Sequence, residues 1–336
     1  TDVLSSNGLQ PPKTWEEYLE VASKIHGQDM NGDGEGDFGS CIFKKRNAQS
    51  YFAIQTFAAP IVQTQGTAQG FHFDNATMKP IVNNEGWKKA FELYKATGQY
   101  GPPDELNMDI GDTRALFKAG RCGLIVEWGD PGTLQLDDDA KSIRGKMYAI
   151  SAVGSTEVLD RATGKLVPVS ASTAPYAVDG INYAPFAAFG GWAGAVNKGA
   201  DAKTKAAAYA FLSYMNQAAQ SGVDVTIGAT GYNPYRTSQL ASTDLWVKAG
   251  MPKALADNYL GAINGAINNL NMASDMKIPG AQKYTSVVLD TELARYLAGE
   301  ITVDEALANI EEGWEEVTED FGRDEQVASQ ALALGL

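Results

Sequence analysis

The chain has 336 residues, 44% of them apolar and 20% charged, a composition that suits about two ordinary soluble domains. Acidic residues outnumber basic ones by 41 to 27, and a net charge of −14 argues against nucleic-acid partners and anionic membrane surfaces. Only two histidines, His26 and His72, are present, which excludes a multi-histidine metal site; the longest mostly apolar stretch, Tyr183 to Val196, is too short and too broken by Gly and Pro to span a membrane.

The sequence opens at Thr1 without an initiator Met, a basic n-region or an apolar h-region, as a processed chain or a fragment does. Asn7-Gly8 and Pro11-Pro12 form a turn. Thr14-Trp15-Glu16-Glu17 reads as a capping box, and Tyr18, Leu19, Ala22 and Ile25 follow at helical spacing. A loop from Gln28 to Gly39 leads to a strand at Cys41-Ile42-Phe43. The pattern predicts a helix from Asn84 to Ala96 with Trp87, Phe91 and Tyr94 on one face, then a short helix from Asp112 to Lys118. A second strand covers Cys122 to Val126. Cys41 and Cys122 show no metal-type spacing and read either as two buried thiols or as one disulfide.

Ser151 to Pro185 reads as loop with strand fragments, and Phe189 to Val196 as a glycine-laden strand. Asp201 is placed to cap an Ala-rich helix reaching about Ala219, and a Gly-rich loop follows from Gly228 to Ser238. The last strong helix starts at Thr302, with Glu305 as its box partner. Val303, Leu307, Ile310, Trp314, Val317 and Phe321 share one face, which reads as a helix seated on its own core. Strands and helices mix throughout, so the fold class is α/β.

The segment Asp29-Met30-Asn31-Gly32-Asp33-Gly34-Glu35-Gly36-Asp37 is the most specific short motif. Oxygen ligands at alternate positions, a glycine at the bend and an acid at the ninth place suit Ca²⁺, which takes six to eight oxygens. Asp29, Asn31, Asp33, Glu35 (through its carbonyl) and Asp37 are the expected ligands of a structural Ca²⁺. Ser40 at the twelfth position and the strand that follows argue against a calcium sensor. No nucleophile elbow, zinc helix, phosphate loop or dinucleotide fingerprint occurs. Aromatic rings instead sit on glycine-flanked, irregular stretches: Trp128-Gly129-Asp130, Phe189-Gly190-Gly191-Trp192, Gly231-Tyr232-Asn233-Pro234-Tyr235-Arg236 and Ile278-Pro279-Gly280-Ala281-Gln282-Lys283-Tyr284. Rings beside Asp, Asn and Arg on loops suit a sugar, whose C–H faces pack on the rings while its hydroxyls take the polar groups.

Together with Pro11-Pro12-Lys13-Thr14-Trp15-Glu16-Glu17-Tyr18 and Gly299-Glu300-Ile301-Thr302-Val303-Asp304-Glu305-Ala306-Leu307, these islands resemble, in their order, the bacterial extracellular solute-binding proteins of ABC importers, of maltose-binding-protein type. The resemblance implies a two-lobed, type II periplasmic-binding-protein-like α/β fold. Residues 1–188 would form the main part of the second lobe, 189–240 a remnant of an incomplete first lobe, and 241–336 a helical return to the second. It also implies hinge closure on a sugar or related polyhydroxylated solute without catalysis, the ligand lying between Arg46, Asn47, Gln49, Tyr51, Trp128, Asp130, Trp192, Tyr232, Asn233, Arg236 and Tyr284. The implied partners are ABC permease subunits and a missing N-terminal segment of the first lobe, cleaved off or on another chain. The implied compartment is periplasmic or extracellular, free or tethered as a lipoprotein, and its oxidising chemistry favours the disulfide. The rival readings are a calcium-containing secreted carbohydrate-active enzyme and a calcium-stabilised adhesion module.

Overall fold

The computed structural model describes all residues except 190 and 229. A short helix, α1 (Asp2–Ser6), precedes α2 (Trp15–Ile25). The Thr14 hydroxyl accepts the Glu17 amide at 3.2 Å, and the Glu17 carboxylate turns back to the Lys13 amide at 2.7 Å, one residue earlier than a strict capping box would place it. Strand β1 (Phe38–Cys41) follows, then α3 (Ser50–Val62), α4 (Glu85–Thr97), α5 (Ile110–Lys118) and β2 (Cys122–Ile125). Helix α4 starts where expected, because Asn84 Oδ1 accepts the Gly86 and Trp87 amides. Helix α5 starts two residues early, because Asp109 and Asp112 form a reciprocal box ahead of it.

Strands β1 and β2 run parallel with Phe38 opposite Cys122 and Cys41 opposite Ile125. Cys41 and Cys122 are joined by a disulfide with Cα atoms 5.8 Å apart, which settles the open choice between thiols and bridge. A hairpin of β3 (Glu157–Asp160) and β4 (Lys165–Pro168) comes next. The two-residue β5 (Phe186–Ala187) pairs in parallel with β6 (Ala273–Ser274). The strand expected over 189–196 is absent among the described residues; the chain from 191 to 197 is irregular. With five glycines and alanines in that stretch, little side-chain surface is available to hold it against a neighbour.

Asp201 caps α6 (Ala202–Met215), which stops four residues short of expectation, and α7 (Ala218–Asp224) continues at an angle set by Asn216-Gln217. Then come α8 (Thr237–Leu240), α9 (Asp244–Lys248) and α10 (Lys253–Ile267). A π-helical turn, Lys283–Leu289, feeds α11 (Asp290–Leu297), α12 (Val303–Phe321) and α13 (Arg323–Leu334). Thr302 and Glu305 box α12 as expected, and its Leu307, Ile310, Trp314 and Val317 are buried.

The main core joins α2, α3, α4, α11 and α12 through Trp15, Phe57, Trp87, Tyr94, Leu293 and Trp314. Trp15 stacks on Phe57 with centroids 3.6 Å apart. A second cluster surrounds the disulfide with Phe117, Leu134, Ala140 and Ile143. A third unites Val225 with Trp246, Met251, Ala256, Tyr259 and Leu260. Val225 thus packs with residues beyond 240, and Ala273 belongs to the main core. Helix α6 buries no residue at all.

Candidate functional site

Because β1 and β2 are parallel, their C-terminal ends reach one edge, and the chain leaves it as Phe43–Ser50 and Val126–Leu136. Ligands of parallel α/β sheets gather beyond that edge. Arg114 on α5 fixes the second segment. Its Nε and Nη2 donate to the two Glu127 oxygens at 2.8 and 3.0 Å, and its Nη1 lies 2.9 Å from Asp130 Oδ2. Glu127 also accepts the Trp128 amide at 2.8 Å. Both carboxylates are buried and share one guanidinium, which leaves no positive charge over. Burial pushes the Glu127 carboxyl up to about 7, against the opposing pull of Arg114.

Held this way, the Trp128 ring stacks on Phe43 at 5.7 Å and meets Phe52 edge-on at 5.5 Å. Phe52 meets Phe189 at 5.9 Å, and Phe189 meets Trp192 at 5.0 Å. Trp192 Nε1 donates to the Gly231 carbonyl at 3.2 Å. Two residues on, Asn233 Oδ1 lies so close to Gly129 that a Cβ there would stand 2.6 Å away. The path closes on Trp128, so four rings and one loop encircle a mouth. Phe189 holds a left-handed backbone, φ +70°, with its amide donated to Asp275 at 2.9 Å. Such conformations cost free energy for a bulky residue and concentrate at ligand clamps.

Behind the mouth lies a cavity of about 310 Å³. Phe43, Phe52, Val126, Trp128 and Ile263 form apolar walls, with segments 147–153 and 184–188 across from them; Glu127, Asn233 and Tyr259 are its principal polar groups. Asn233 Oδ1 and the Tyr259 hydroxyl are buried without a hydrogen-bond partner among the described residues. Gly132 lies against the Tyr259 ring, where a Cβ would come within 2.2 Å.

Of the expected ligand residues, Trp128 and Asn233 line this cavity, Asp130 braces it through Arg114, Trp192 stands at its mouth, and Tyr232 packs against the Val225–Tyr259 cluster. The others lie elsewhere. The Asn47 amide donates to Asp290 at 2.7 Å and Arg46 to Thr291 at 3.1 Å, so the 46–49 loop is tied to the start of α11. Gln49 caps α3, and Tyr51 packs on Phe52 outside the lining. Arg236 turns away, donating to Ser221 at 3.2 Å and to the Asn216 carbonyl. Tyr284 is a correction: it is fully buried in the main core, bonded to Thr318 at 2.9 Å beside Trp314, because the turn carrying it is covered by α12. Sequence reasoning missed Phe43, Phe52, Glu127 and Tyr259. The Trp-Gly-Asp island pointed at Glu127, but Tyr259 sits in the regular helix α10 with no local signal.

In the 29–37 loop, Asp29 accepts the Gly32, Asp33 and Gly34 amides, and Asp37 accepts those of Met30 and Asn31. Arg121 lies 2.8 Å from Glu35, 3.2 Å from Asp37 and 3.5 Å from Asp33. Among the described residues no three acidic, His or Cys side chains close round one point. By type the donors suit a hard cation, all being oxygens.

The profile of the family described as bacterial extracellular solute-binding protein matches residues 1–253, and the chain belongs to that family. No curated protein matches the chain. Among solved structures it is similar to an ABC transporter solute-binding protein from Agrobacterium vitis S4 with bound D-mannitol, at 20% identity and TM-score 0.62, over 96% of this chain and 70% of that one. It is similar to another from Agrobacterium radiobacter K84 in complex with ribitol, at 18% and 0.65, over 94% and 67%. Maltose-bound T. maritima MalE3 matches at 16% and 0.64, over 94% and 68%. The fold is thus the two-lobed α/β architecture of these proteins. No helix among the described residues is long and apolar enough to cross a membrane.

Proposed function

We propose that this chain is the substrate-binding component of an ABC importer, which captures a sugar or related polyhydroxylated solute and leaves it chemically intact. The observation that carries this is the cavity behind the Trp128–Phe52–Phe189–Trp192 mouth, in a chain of this family. Rings there offer C–H packing, and a few polar atoms offer hydroxyl contacts. The ligands printed for its structural neighbours, mannitol, ribitol and maltose, support the same class. Closure follows from differential affinity: a solute that touches the Trp128 wall and the 231–233 loop together favours the form in which both are near. The enzyme alternative needs a free carboxylate pair, whereas Glu127 and Asp130 are both engaged by Arg114.

The closed form is then read by permease subunits, in the periplasm or at the cell surface, free or lipid-tethered. The bare α6 face takes further polypeptide of the first lobe, on this or another chain. The 29–37 loop holds a structural Ca²⁺, supported by four carboxylates set against the single Arg121 guanidinium. The function is tested by calorimetric titration of sugars and polyols. A binder in the micromolar range, about −8 kcal/mol, is expected, with no product formed and with Trp128→Ala weakening it at least tenfold. Release of a modified sugar, or unchanged affinity in Trp128→Ala, would reject the assignment.

A further inference from the structure

Two polar atoms at the cavity have nothing to bond. Tyr259 is 3% exposed, and its hydroxyl has no partner among the described residues; Asn233 Oδ1 is likewise buried and unpaired. Leaving such groups unmet costs free energy, so each calls for an explanation. Both belong to residues that line one cavity, Asn233 from the 231–236 loop and Tyr259 from α10.

The charges point the same way. Among the described residues no Lys or Arg lines the cavity, and Glu127 is the one carboxylate there. The nearest guanidinium, Arg114, faces Glu127 and Asp130 at 2.8–3.0 Å, so that group of three has no positive charge to spare. Arg236, the cation the sequence set beside Tyr232 and Asn233, is engaged by Ser221 and the Asn216 carbonyl. A carboxylate or phosphate entering here would lose its water and meet no free cation to compensate for it in a medium that screens poorly. A hydroxyl instead finds an unpaired carbonyl oxygen to donate to and a phenol to accept from. At about 310 Å³ the cavity stands at the small end of ligand sites, the scale of a single sugar unit and not of an oligomer.

We infer that Tyr259 Oη and Asn233 Oδ1 are the selective polar contacts of the site, and that it takes an uncharged, hydroxylated solute of monosaccharide size while rejecting acidic and phosphorylated counterparts. This rests on the solute-binding reading above. It adds a specificity rule that acts partly by leaving the wrong solute's charge uncompensated.

The test is titration calorimetry on the full chain with mannitol, ribitol and glucose against gluconate, glucuronate and glucose 6-phosphate, repeated on Tyr259→Phe and Asn233→Ala. Expected is binding of at least one neutral solute, with its acidic or phosphorylated counterpart at least tenfold weaker. Each variant should bind that neutral solute at least tenfold more weakly, while the ligand-free melting temperature does not fall for Tyr259→Phe, which removes an atom that bonds nothing. A merely structural Tyr259 would show the reverse: a lower ligand-free melting temperature and unchanged affinity. Acids binding as tightly as neutral solutes, or affinity kept within twofold in both variants, overturns the inference and leaves the solute-binding reading standing. No binding by any of the six overturns both.

Discussion

His72 shows how one residue carries the pH response of the core. It is buried among Phe71, Phe73, Phe186 and Trp314, with Nε2 bonded to the Gln55 side-chain oxygen. Burial disfavours its charged form and pulls its pKa down to about 3. The unfolded chain, with an ordinary histidine, binds a proton between about pH 6.5 and 3 that the folded chain does not. Its contribution is therefore complete above pH 6.5 and declines as pH falls through that window, by about 2 kcal/mol at pH 5. His72→Phe should lower stability at pH 7, since it strands Gln55, yet lose about 2 kcal/mol less between pH 7 and pH 5. Denaturant titrations at the two pH values check this; an unchanged pH difference would show that the charge is carried elsewhere.

At the scale of elements, regularity in the sequence predicted some helices and hid another. Helices α2, α4 and α12 have one apolar face and side-chain caps, so period and boundary were both legible. Helix α3 was not, because eleven of its thirteen residues are buried and it has no polar face to create a period. The pairing of β1 with β2 is clamped by the disulfide, which closes a separation of 81 residues; in the chain-entropy account such a bridge contributes about 4–5 kcal/mol. The 29–37 loop enters β1 beside it, and Arg121 immediately precedes β2. Bound Ca²⁺ should therefore stabilise the start of both strands. Millimolar Ca²⁺ should raise the melting temperature over EDTA, at roughly 2–4 °C per kcal/mol, and Asp29→Asn with Asp33→Asn should abolish the difference. Equal melting curves in Ca²⁺ and EDTA would remove the cation and leave Arg121 as the loop's only positive charge.

For the molecule as a whole, the outstanding feature is the surface of α6. Tyr209, Phe211 and Tyr214 are 70%, 61% and 53% exposed, and Trp192 nearby is 72% exposed. Apolar faces of this kind mark interfaces. The relatives are longer, this chain spanning 67–70% of the three compared. Tyr209→Ser with Phe211→Ser should leave the melting temperature nearly unchanged, because both side chains are mostly exposed, and should reduce binding of a hydrophobic dye and self-association. A fall of several degrees would mean that the face is already packed and would refute its role as an open interface.

What the sequence determined by itself was everything that depends on neighbours along the chain: the α/β class, the capped amphipathic helices, the acidic loop, and islands where aromatic rings sit on irregular backbone. That local signature says that a ring is not in a regular helix or strand; it is silent on what covers it. Trp128 and Tyr284 carry similar signatures, yet one lines the cavity and the other is sealed under α12. Tyr259, from a regular helix, reaches the same cavity from more than a hundred residues away. Only the tertiary structure decided these outcomes, because a site is a set of long-range contacts, and contact depends on which surfaces pack together and not on the residues next door.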